Sequence, residues 1–163
     1  MKLLKKINRK ALFLLTLGCM VVLFLFNIAN YALRTHTIPE CRSVVKLKIP
    51  SKGEVKESLI ILNIVNVGDK KAVFYLRGYL KDGDKKHPLS RRLTADYKYE
   101  NGFYYFSVKD VKINPIDLLS DEDISDHAFL INSEHFVLQV KEIFNGGYVF
   151  SGLRAPLFIC STY

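Results

Sequence analysis

The stretch YKYENGFYYFSV, residues 97–108, decides how the rest of the chain is read. Asn101-Gly102 sits there between two runs rich in tyrosine and phenylalanine. An Asn-Gly pair accepts positive φ at both centres of a two-residue turn, and that turn has the hand that right-twisted strands need. Aromatic side chains suit the half-buried, pleated surface on either side. The segment predicts a hairpin between strands over 87–100, the weaker of the two, and 103–113.

Reading outward from the hairpin adds more strands. Upstream, AVFYLRGYL (72–80) is closed by Lys81-Asp82-Gly83-Asp84, and SLIILNIVNV (58–67) is dense in β-branched residues and ends at Gly68-Asp69. Before them, SVVKLKI (43–49) alternates Val45, Leu47 and Ile49 with Lys46 and Lys48, and Pro50-Ser51-Lys52-Gly53 breaks the run. Downstream, NPIDLLSDEDISDHAFL (114–130) is acidic and broken, which predicts a loop. HFVLQVKEIF (135–144) and YVFSGLRAPLFIC (148–160) then flank Asn145-Gly146-Gly147, a second turn signal. Seven or eight strands joined mostly by short turns predict an all-β domain. It is mainly an antiparallel meander, curled into a barrel or a sandwich. The 11 Phe and nine Tyr, with no Trp, fit its core. Such an interior is filled by its own side chains or holds an apolar ligand.

The amino terminus reads differently. Residues 1–10 carry Lys2, Lys5, Lys6, Arg9 and Lys10 and no acid, and residues 11–33 carry no charge. Twenty-three helical residues would reach about 34 Å, against about 30 Å of hydrocarbon core. A cleavable signal peptide has a shorter apolar run. A lipoprotein signal at Cys19 would have a large aliphatic residue where Thr16 stands. The expectation is a single-pass transmembrane helix preceding the β domain, in a bacterial inner membrane, with the amino terminus cytoplasmic. The domains expected are a basic cytoplasmic tail (1–10), a transmembrane helix contacting lipid (11–33), a juxtamembrane linker (34–42) and a periplasmic β-rich domain (43–163).

On that reading Cys19 lies in the span, while Cys41 and Cys160 reach an oxidising compartment, where two thiols normally pair. Their disulfide would staple the last strand to the first and close a loop worth about 5 kcal/mol in chain entropy. The charge of +8 is uneven. Residues 34–112 hold 17 basic and 9 acidic side chains (17 − 9 = +8), and residues 113–163 hold 2 and 7 (2 − 7 = −5). Such asymmetry suits an oriented protein contact or self-complementarity within the fold. No nucleic-acid reader motif occurs, and direct nucleic-acid binding is not expected.

Chemistry is thin. His36, His87, His127 and His135 lack metal-ligand spacing, and the reading assigns no metal and no cofactor. Histidines beside carboxylates titrate near neutral pH, so the four are candidate pH-responsive groups. Asp121, Glu122, Asp123 and Asp126 lack the spacing of a calcium loop. No phosphate loop or nucleophile elbow occurs, and the chain reads as non-enzymatic.

A basic stub, an apolar helix, Cys41 just beyond it, a β-rich domain and a terminal SGLRAPLFIC (151–160) together resemble the FidL-like small membrane proteins. More broadly, the arrangement is similar to the ToxS-type companions of ToxR-type transcription regulators, with the PsaF/MyfF type as the nearest match. The resemblance implies a regulatory subunit that binds and stabilises the exported domain of a ToxR-like, single-span activator of virulence or fimbrial genes. It also implies sensing of a small amphiphile through the barrel. The alternative is a periplasmic assembly factor or chaperone, which would present an exposed β-edge to unfolded clients.

Overall fold

The computed structural model of the chain describes residues 9–32, 36–51, 54–117, 119 and 133–163. The chain divides into an amino-terminal helical unit and a β unit that runs from Thr37 to Tyr163.

The helical unit contains α1 (Arg9–Ala32). Two of its polar side chains turn back onto their own helix: Thr16 Oγ1 donates to the Phe13 carbonyl at 2.9 Å, and Asn27 Nδ2 to that of Leu23 at 2.8 Å. The transmembrane expectation is corrected here. Among the described residues no helix is long and apolar enough to cross a membrane. The physical reason lies at the two ends of the run. Arg9 and Lys10 open the helix, and Asn27 and Asn30 stand near its close. The stretch without charge or amide, 11–26, therefore reaches only about 24 Å at 1.5 Å per residue, short of about 30 Å. A single-pass inner-membrane topology is not supported.

The β unit is an eight-stranded antiparallel barrel in which each strand pairs with the next in sequence. The strands are β1 (Cys41–Ser51), β2 (Glu54–Asn66), β3 (Lys71–Asp82), β4 (Lys85–Glu100), β5 (Phe103–Ile113), β6 (His135–Phe144), β7 (Gly147–Ser151) and β8 (Pro156–Ser161). The meander is as expected, and the barrel alternative is the one realised. Asn101 (φ 52°) and Gly102 (φ 86°) form the turn between β4 and β5, and Glu100 pairs with Phe103 across it. Residues 148–160 do not form one strand. Gly152 N donates to the Ala155 carbonyl at 2.9 Å, and that tight turn separates β7 from β8 and settles the count at eight.

Period-two alternation builds the interior. Along β4, Leu89, Arg91, Leu93, Ala95 and Tyr97 are buried while their neighbours face outward. Phe74, Phe106 and Phe136 meet at the centre: the rings of Phe106 and Phe136 stack at 4.7 Å, and Phe74 approaches both edge-on. Leu62, Ile64, Leu138 and Phe150 complete this core, so the interior is filled by the protein's own side chains. Gly78 of β3 is required by the close approach of β2, since a Cβ there would strike the Leu59 carbonyl.

Candidate functional site: the seam and the outer wall

The barrel closes between β1 and β8, and the ladder there is a single register pair, Arg42 with Ser161. Beside it lies the Cys41–Cys160 disulfide, with Cα atoms 5.5 Å apart and both residues fully buried. The pairing expected of Cys41 and Cys160 is the one formed. From Ser43 to Ser51, the edge of β1 that faces away from β2 has no ladder partner among the described residues. Lys46 and Lys48 on this strand are exposed, a pattern that deters indiscriminate edge pairing.

The two ends of the barrel are finished by different chemistry. At the end carrying the β4–β5 turn, Ile38 is buried in the core. Its N–H donates to the Tyr97 hydroxyl at 3.4 Å, and the Tyr104 hydroxyl donates to the Thr37 carbonyl at 3.1 Å. Burial, together with the neighbouring Tyr99 and Tyr97, pushes the Tyr104 hydroxyl up to about 12. Six residues earlier on β4, about 20 Å away, Arg91 points into the barrel and meets Asp117. The side chains are 2% and 0% exposed, with Nε to Oδ2 at 3.0 Å. Asp117 also accepts from Ser90 N (2.9 Å) and Leu119 N (3.2 Å), while Arg91 Nη2 donates to the Leu119 carbonyl (2.9 Å). A buried pair with its remaining valences satisfied fixes geometry more than it adds stability. Here it anchors the beginning of the β5–β6 connection.

Two grooves open on the outer wall, one on each side of the start of β6. The first, about 480 Å³, involves Asp96, Lys98, Tyr105, Ser107, His135 and Val137. The second, about 510 Å³, runs from His135 and Val137 to Leu153, Arg154 and Leu157. Their volumes fall in the range of small-molecule sites.

The four histidines are not gathered into a site by what is described. His36 precedes β1 and is exposed, His87 is half-buried on β4 opposite Leu80, and His135 is exposed on β6 opposite Ser107. His127 lies outside the described residues, as do Asp121, Glu122, Asp123 and Asp126. Among the described residues no three His, Cys, Asp or Glu side chains come together as a metal site.

Sequence reading missed the Arg91–Asp117 pair. The signal was the phase of Arg91 with Leu89 and Leu93, which sends it inward. It also missed the outer wall, where the same alternation gathers the cations of β1, β3, β4 and β5 on one surface. Neither a protein-family model nor a curated protein matches the chain.

Proposed function

We propose that this barrel is a non-enzymatic companion subunit that binds and stabilises the sensor domain of a ToxR-like transcription activator in virulence or fimbrial gene control. The observation that supports this reading is the edge of β1 from Ser43 to Ser51, without a ladder partner among the described residues, at a seam held by a disulfide. A strand edge offers backbone donors and acceptors to a second chain, and main-chain pairing supplies affinity while side-chain pockets supply selectivity. The same edge supports the alternative, a chaperone for exported surface proteins, because unfolded clients also bind as extended strands. The grooves beside His135 are of a size to admit a small amphiphile.

Number of partners separates the two readings. Tagged full-length protein, retrieved from its native cells in mild detergent, should carry one regulator with a DNA-binding domain in fixed ratio. A broad set of exported clients without a regulator would replace the companion with the chaperone.

A further inference from the structure

Four adjacent outward rows of β1 to β5 carry an unbalanced charge pattern that the register makes explicit. One row across the sheet runs Arg42, Asn63, Tyr75, Arg92, Lys112. The next runs Val44, Ile61, Arg77, Ser90; then Lys46, Leu59, Tyr79, Pro88; then Lys48, Glu57, Lys81, Lys86. These rows hold eight cations and one carboxylate (8 − 1 = +7). The carboxylate, Glu57, is already paired with Lys48 at 2.8 Å. Between the cations stand exposed apolar groups, Val44 (57%), Ile61 (38%) and Tyr75 (36%). With strands about 4.8 Å apart and rows about 6.8 Å apart, the patch is about 20 Å on each side.

We infer that this wall docks an acidic surface of a partner protein, with Val44, Ile61 and Tyr75 as the apolar centre and Arg42, Lys46, Arg77 and Arg92 as the charged surround. The inference rests on the reading of the chain as a companion that binds another protein. Charge decides the sign of the partner, since a surplus of seven cations selects carboxylates and rejects basic surfaces. The apolar centre decides its class. Adjacent aliphatic side chains face a phosphate backbone poorly, whereas protein interfaces place apolar and aromatic groups inside a polar rim. Curvature argues in the same direction. A barrel wall is convex across its strands, so a flat lipid surface meets only the middle strands, while a concave protein surface reaches Arg42 on β1 and Lys112 on β5 together.

The test uses full-length protein carrying a photo-reactive amino acid in place of Ile61, with a second version labelled at Leu153 on the β7–β8 turn as control. Each is irradiated in the native cells, and the attached species is identified and its cross-linked segment mapped. The expected result is one protein, attached from position 61 and not from 153, through a segment with excess Asp and Glu. The yield should fall at least about tenfold in the Lys46→Glu/Arg77→Glu variant. Unchanged thermal unfolding of that variant shows that the loss is not misfolding. If a regulator co-purifies in fixed ratio while position 61 attaches to nothing, or to a neutral or basic segment, the docking face is wrong and the companion reading stands. Attachment to phospholipid or nucleic acid alone overturns the docking face. Failure to recover any partner by either route overturns both.

Discussion

The two halves of the barrel wall are built to different standards. From β1 to β5, each hairpin has 10 to 12 register pairs. From β5 through β8 and back to β1, the ladders fall to four, five, five and finally one. The first half is made of neighbours in sequence joined by tight turns, so each strand pairs at little loop-closure cost. The seam must join residues 119 positions apart, and there the backbone supplies one pair while a covalent bond supplies the rest. Hydrogen bonding holds the long wall; a cross-link holds the seam.

Removing the cross-link is the strongest way to break this comparison. Cys160→Ser should lower stability by about 5 kcal/mol on the chain-entropy account. Amide exchange should accelerate first in β8 and at the start of β1, while β2, β3 and β4 stay protected. Uniform acceleration would mean that the two halves unfold as one.

Breaking the buried ion pair comes next. Asp117→Ala removes the buried carboxylate that faces Arg91 inside the barrel and should cost about 3–5 kcal/mol in denaturant unfolding. The double variant Arg91→Met/Asp117→Leu should recover most of the loss, because both members of the pair are then apolar.

The cap on the tyrosine-rich end is a smaller, pH-dependent contribution. The Tyr104 hydroxyl is raised in the folded state to about 12, above an unfolded value near 10. Its contribution is therefore fully present below about pH 10 and is lost as pH rises towards 12, worth about 2 kcal/mol. Tyr104→Phe should flatten the alkaline limb of the stability profile between those limits. Smallest of all is Lys48→Ala: it breaks an exposed pair with Glu57, and the unfolding midpoint should not move measurably.

What could be read from residues alone tracks the range over which each rule acts. The Asn101-Gly102 turn and the strand alternation follow from local chemistry, and both are in the structure; the pairing of Cys41 with Cys160 is there too, although the topology from which it was expected is not supported. The thin β1–β8 ladder was not legible, because the register of a closing strand depends on the summed twist and stagger of the strands before it. The helix shows the opposite failure. The expected span counted Asn27 and Asn30 into the apolar run, and among the described residues no helix is long and apolar enough to cross a membrane. Arg91 was not singled out, although its phase with Leu89 and Leu93 sends it inward. The charged wall was visible in part. The surplus of residues 34–112 was evident, but its placement on one surface needed the register.

The disulfide has one more consequence. Between Cys41 and Cys160 the backbone and the S–S bond form a covalent ring. A protease that cuts once within it linearises the ring and releases nothing. Two cuts are needed to liberate a fragment, and a singly nicked chain comes apart only on reduction. The fold therefore tolerates a first injury in any of its loops as a matter of connectivity, before any question of how tightly those loops are packed.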